Sequence, residues 1–182
     1  MRRLFGEHAT AGIAILLVML AVLVRIMPHP ANFAPVTAVA IFGGAVLPRR
    51  LAIVAPLLAM AVSDLIIGTY DWRIMLTVWT CYATTAYVSS HVLRRPRMTR
   101  GAVLTLAASL SFFVITNFAV WAASGMYAHT WTGLEECYLS ALPFLRNTVL
   151  SDASYTVLLF GVLYTARMAL ERRVHMGVER KA

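Results

Sequence analysis

The chain has 182 residues, of which 60% are hydrophobic and 13% charged, and its mean hydropathy is +0.73. A soluble domain carries about 45–50% apolar residues, so the excess reads as a membrane protein. The net charge of +8 and the pI near 10.2 would suit nucleic acid. The basic residues, however, sit at the ends of apolar segments, where membrane topology is written, and not along a binding stripe, which excludes nucleic acid as a partner.

Six spans are predicted, giving an all-α, polytopic membrane protein with six transmembrane helices in one domain over residues 1–182. The first span, Ala11 to Ile26, precedes the proline-rich turn Pro28-His29-Pro30. The N-terminal Met1-Arg2-Arg3 lacks a small-x-small cleavage site downstream and is read as the start of a retained span, not a signal peptide. The second span, Val36 to Leu47, covers only about 18 Å as a helix, so it is expected within the bundle. The third is Leu51 to Gly68 and the fourth Ile74 to Leu93. Arg94 to Arg100 separates the fourth from the fifth, Ala102 to Ala123, and the sixth runs from about Thr148 to Leu170. With both termini cytoplasmic, 13 of the 16 Lys and Arg residues fall inside, and only Arg25, Arg73 and Arg146 fall outside. That asymmetry fixes the orientation.

The first outer turn, Met27 to Pro35, holds three prolines in nine residues and so has a set, extended shape. His29 and Asn32 are its polar members. The turn is either a stiff connector or the ligand-contacting rim of a pocket. At the end of the third span, Asp64 is expected to bond outer-loop amides or to pair with Arg73, since a carboxylate near a helix end is tolerated better than one at the bilayer centre.

The fourth span carries Trp79, Cys81, Tyr82, Thr84 and Thr85, a polar patch expected to face the bundle interior or a cavity. Cys81 lies roughly two turns, or about 12 Å, from the Arg73 end. Its thiol is either a small packing group or a soft donor atom that becomes a thiolate when a metal displaces the proton. Cys81 and Cys137 are too few for a disulfide framework, although one bridge between them is possible in principle. In the fifth span Asn117 and Trp121 share a helix face. Asn117 is placed either to bond a neighbouring helix or to read an amide-rich ligand. Between Ser124 and Asn147, helical spacing of Leu134, Cys137, Tyr138, Ala141 and Leu142 ahead of Pro143 predicts a short amphipathic helix across the outer face, either a lid or an interfacial helix. Ala55 with Ala59, and Ala119 with Ala123, have the spacing that permits close helix contact.

No motif for a motor, hydrolase or zinc site is present. A P-loop needs a lysine after its glycines, and the only lysine is Lys181. This chain therefore binds no nucleotide through a P-loop, and ATP-driven work would need a separate subunit. Cys-x-x-Cys, His-Glu-x-x-His and Gly-x-Ser-x-Gly are absent as well.

The motifs Pro28-His29-Pro30-Ala31-Asn32-Phe33-Ala34-Pro35, Phe42-Gly43-Gly44, Ser63-Asp64-Leu65, Thr116-Asn117-Phe118-Ala119-Val120-Trp121 and Ala141-Leu142-Pro143-Phe144 resemble a broad family of small six-span bacterial membrane proteins. That family is similar to the substrate-binding S-components of energy-coupling-factor transporters. Cys81 points within it to the BtuM-like branch of solitary vitamin B12 transporters. The resemblance covers nearly the whole chain. It implies an S-component-like bundle in the bacterial inner membrane with a pocket open to the periplasm, between the first turn, the fourth-span patch and the last outer segment. Cobalamin is then the transported substrate and Cys81 an axial thiolate ligand to its cobalt, able to promote loss of cyanide from cyanocobalamin. The candidate contacts are His29, Asn32, Tyr82, Thr85, Asn117, Trp121, Tyr138 and Arg146. Besides cobalamin and the lipid bilayer, the implied partners are an ECF-type coupling subunit and ATPases. Two other readings stay open: an importer of another small nutrient with Cys81 as packing, and a structural membrane protein with no small-molecule site.

Overall fold

The structure is a computed structural model and describes residues 7–93 and 98–179. The basic residues Arg2, Arg3, Arg94, Arg95, Arg97, Arg180 and Lys181, part of the topology argument, lie outside the described residues. Among the described residues six helices follow one another: α1 Glu7–Ile26, α2 Val36–Val46, α3 Arg49–Ile67, α4 Trp72–Val92, α5 Met98–Ala123 and α6 Trp131–Glu179. No strand occurs among the described residues.

Among the described residues, four stretches are long and apolar enough to cross a membrane: His8–Ile26, Arg49–Ile67, Thr99–Ala123 and Trp131–Ala166. α2 is apolar but has only 11 residues. α4 has the length, with 21 residues, but its Arg, Thr, Ser and His residues dilute its apolar character. Large apolar side chains crowd the outside of the molecule: Leu16, Val103 and Val157 are 65%, 70% and 61% exposed. Surface of that kind belongs against lipid. The end of the bundle carrying Arg25 and Arg73 is called the outer end below, following the charge distribution.

Helix boundaries follow local chemistry. Pro28 ends α1, Pro48 precedes α3, and Gly68, at φ 118°, stops α3 in a conformation that favours glycine. Asp71 caps α4 by accepting the Arg73 amide at 2.8 Å. The expected short helix across the outer face is not separate. α6 runs unbroken from Trp131 to Glu179 with Pro143 inside it, which corrects both that helix and the start of the sixth span at Thr148. Membrane-type helices tolerate an internal proline because neighbouring groups satisfy the freed carbonyl. Instead of lying across the bundle, the first turns of α6 pack back along α5. The Tyr138 hydroxyl donates to the Val114 carbonyl at 2.7 Å, and the Cys137 thiol to the Asn117 carbonyl at 3.4 Å.

α2 forms the core. All 11 of its residues are buried, and the other five helices surround it. Hydrophobic transfer does little between helices in lipid, so close approach and interhelical hydrogen bonds must hold the bundle. Gly44 shows the first: a Cβ added there would sit 2.4 Å from the Ser89 Cβ of α4. Ala55 and Ala59, predicted as close-contact residues, are buried, whereas Ala119 and Ala123 are half-buried. The second is seen between α5 and α6, where Ser109 bonds Asp152 at 2.7 Å and Thr105 bonds Thr156 at 3.3 Å.

Candidate functional site

The site begins with a length mismatch. Only Leu47 and Pro48 join α2 to α3, so their inner ends lie level, and α3 has 19 residues against 11. At 1.5 Å per residue α2 therefore stops about 12 Å short of the outer end of α3. The turn 27–35 descends into this gap and is fastened there. Asn147 of α6 donates to the Ala31 carbonyl at 3.0 Å, Ser151 donates to the Ala34 carbonyl at 3.1 Å, and the Phe33 ring meets Tyr155 edge-on. The Phe33 amide closes a tight turn on the Pro30 carbonyl at 3.0 Å with Asn32 at φ 59°, a backbone region that asparagine tolerates.

A charged network anchors the outer ends of α1, α3 and α4. Arg25 pairs with Asp64 through Nη2 and donates through Nε to Ser63 Oγ at 2.7 Å. The Trp79 indole donates to the other Asp64 oxygen at 3.0 Å. The expected partner of Asp64 was Arg73 or loop amides; the structure gives Arg25 and Trp79. Sequence neighbours lost to residues from the facing helices, because Asp64 points into the bundle and is 3% exposed. Arg73 instead lies over the Trp72 ring at 5.6 Å.

Two adjoining hollows open beside this network. The outer cavity, of about 480 Å³, is lined by Arg25, Asn32, Tyr70, Tyr82, Phe112, Asn117, Tyr127 and Cys137, among others. The second chamber, of about 280 Å³, is lined by Arg25, His29, Asn32, Thr37, Tyr82, Phe112, Thr148 and Asp152, with Ala34 and Ile67. Arg25, Asn32, Tyr82 and Phe112 border both. In the loop above, burial and then the Asp64 carboxylate push the Tyr70 phenol above its usual value, against the opposing pull of Arg25.

Cys81 lies elsewhere. It is half-buried in a third hollow, a groove of about 460 Å³ between α4 and α5. Thr77, Thr80, Thr84, Thr85 and Ser111 line this groove together with apolar side chains such as Leu76, Leu104 and Ile115. The hydroxyls of Thr77 and Thr80 donate to their own helix, to the Arg73 and Leu76 carbonyls. Phe112 alone among the lining residues is common to the groove and the outer cavity. Its ring lies 5.3 Å from that of Tyr82, so the pair forms the wall between them. The cysteine in the outer cavity is Cys137, and both cysteines are free thiols.

The sequence candidates therefore divide. His29, Asn32, Tyr82 and Asn117 border the outer hollows, while Cys81 and Thr85 border the groove. Asn117 spends its amide nitrogen on the Phe113 carbonyl of its own helix, at 2.7 Å. Trp121, Tyr138 and Arg146 line none of these three hollows. The Trp121 indole is bonded to the Ala128 carbonyl at 2.9 Å, Tyr138 to Val114, and Arg146 is exposed. Sequence reasoning missed Asp152, Phe112 and the inward role of Arg25. For Asp152 and Arg25 the signal was available, since an ionisable residue inside an apolar span marks a functional site by default.

No curated protein and no solved structure matches the chain. A family model does match, over residues 7–174. The chain belongs to that family, DUF6580, a family of unknown function.

Proposed function

We propose that this protein binds cobalamin at the outer face of the bacterial inner membrane and carries it inward as a six-span, S-component-like bundle with both termini cytoplasmic. The observation that carries the reading is the setting of Cys81: a free, half-buried thiol in a groove of about 460 Å³, mainly apolar but carrying five hydroxyls, and not a thiol packed against a core. The corrin ring occupies four positions around cobalt, and a soft sulfur donor suits one of the two axial ones. Loss of the thiol proton accompanies that bond. With cyanocobalamin as substrate, the Cys81 thiolate would push electron density onto cobalt and so promote loss of cyanide with its electron pair, water taking the vacated position at unchanged cobalt oxidation state. The hydroxyls of Thr84, Thr85 and Ser111 are suited to the amides around the corrin rim. Since the ring pair Tyr82–Phe112 divides the groove from the outer cavity, entry from outside requires that pair to part. ATP-driven uptake would run through a separate coupling subunit and ATPases.

The visible spectrum of the full-length protein purified with cyanocobalamin tests the ligand. Shifted corrin bands in the wild type that vanish in Cys81→Ser are expected. Identical bands in the two proteins would sink the cobalt–sulfur bond.

A second reading, an importer of another small solute, draws on the outer hollows, which hold Arg25, Asp152, Asn32 and Tyr82 but not Cys81. Growth of a strain deficient in B12 uptake separates the two. Rescue by the wild type supports cobalamin; no rescue, with the protein present in the membrane, supports the other solute.

A further inference from the structure

Asp152 lies within the membrane-crossing stretch of α6 and is 2% exposed, yet it borders a chamber that reaches the outer turn at His29 and Asn32. Its contacts are hydroxyls. Ser109 donates to Oδ2 at 2.7 Å, and Thr37 lines the same chamber. Every element around the chamber contributes a facing group: Arg25 from α1, His29 and Asn32 from the turn, Thr37 from α2, Ile67 from α3, Tyr82 from α4, Ser109 and Phe112 from α5, and Thr148 from α6 itself. Among these Arg25 carries the fixed positive charge, and it is committed to Asp64 in the one ion pair among the described residues. His29 sits at the exposed rim with its ring nitrogens turned to the Pro30 and Arg25 carbonyls, at 2.7 and 3.2 Å. Asp64 thus takes the guanidinium, and among the described residues no cation is paired with Asp152. With both ionised the chamber is short of one positive charge, in a setting where an uncompensated charge is expensive.

We infer that Asp152 is a proton-binding site whose occupancy is linked to filling of the chamber. Water that solvates the carboxylate leaves when a solute enters, and the ionised form loses that stabilisation. A proton from the outer solution then bonds to a carboxylate oxygen, and the neutral acid keeps the Ser109 contact. One proton accompanies each solute, so a proton gradient can help to drive uptake. The proton site stands on the carboxylate and its chamber; the linkage to solute rests on the uptake reading above, with a solute that parts the Tyr82–Phe112 pair occupying the outer hollows as well as the groove.

The test uses the full-length protein in phosphatidylcholine vesicles. Difference infrared spectra between pH values are expected to contain the C=O stretch of a protonated carboxyl, lost in Asp152→Asn and retained in His29→Gln. Ser109→Ala, which keeps the carboxyl, is expected to move the pH at which the band appears and guards against misfolding of the first variant. Binding of hydroxocobalamin in weak buffer, which also sheds the Cys81 thiol proton in both proteins, is then expected to take up as much as one proton per molecule more in the wild type than in Asp152→Asn. The proposal is overturned if no such band titrates, if Asp152→Asn leaves it in place, if Ser109→Ala leaves its pH unmoved, if sodium at fixed pH removes it, or if binding takes up no more protons in the wild type than in Asp152→Asn. A band that titrates in protein that fails to bind hydroxocobalamin upholds the proton site and removes the cobalamin reading.

Discussion

The groove beside Cys81 and the outer hollows beside Arg25 are of comparable size and share a wall, but they are built from opposite chemistry. The groove holds a thiol and five hydroxyls with no charged side chain, whereas the outer hollows hold an ion pair and a second, cation-free carboxylate. Successive residues of an α-helix point about 100° apart. Cys81 and Tyr82 therefore serve different hollows although they are adjacent in sequence. A thiol and a buried carboxylate are kept on separate sides of one aromatic pair, and that separation can be attacked directly.

The largest effect is expected on the outer side. Asp64→Ala strands a largely buried guanidinium and should lower stability by about 3–5 kcal/mol, measured by equilibrium unfolding in detergent. Arg73→Ala, at the partner expected from sequence, should change stability by less than about 0.5 kcal/mol. Equal losses in the two variants would mean that the Arg25 network does not anchor the bundle. The core that both hollows lean on comes next. Gly44→Leu should cost about 1–3 kcal/mol through overpacking against Ser89 and Ser90, and an unchanged unfolding midpoint would refute the close α2–α4 contact.

Smaller effects probe the wall itself. In the wild type a water-soluble maleimide added from outside should label Cys81 slowly, and Phe112→Ala should speed that labelling several-fold while the protein stays folded. Rapid labelling in the wild type would show the two hollows to be continuous. The smallest effect concerns the hydroxyl lining. Thr85→Val should weaken hydroxocobalamin binding by about 0.5–1.5 kcal/mol, the range for one lost hydrogen bond, by equilibrium titration. An unaltered affinity would remove Thr85 from the site.

Much of the helix pattern was legible because punctuation and apolar runs coincide. Pro28, Pro48 and the Gly68–Asp71 stretch each fall where a helix ends or begins, and the predicted first five spans lie inside or within a residue of α1 to α5. Pro143 misled, since a proline that would end a helix in water is accommodated inside α6. The short second span was read well: 11 residues cannot face lipid and cross it alone, and α2 is buried on every side. Which way Cys81 points was not legible. Trp79, Cys81, Tyr82, Thr84 and Thr85 spread their polarity around much of the α4 circumference, so no single face was marked. The pairing of Arg25 with Asp64, 39 positions apart, needed the packing of α1 on α3, which no local pattern encodes. Asp152 could have been flagged from its apolar surroundings alone, and was not.

The brevity of α2 has a consequence for the electric field across the membrane. An apolar core helix that covers only about half of a 30 Å hydrocarbon layer leaves the outer half of its crossing to a descending turn whose peptide groups need polar partners. If solvent follows the turn into the resulting crater, the transmembrane voltage falls mainly across the remaining, drier half. A charge moved past the crater floor feels most of that voltage, about 2.3 kcal/mol per elementary charge at 100 mV, over a path far shorter than the bilayer is thick.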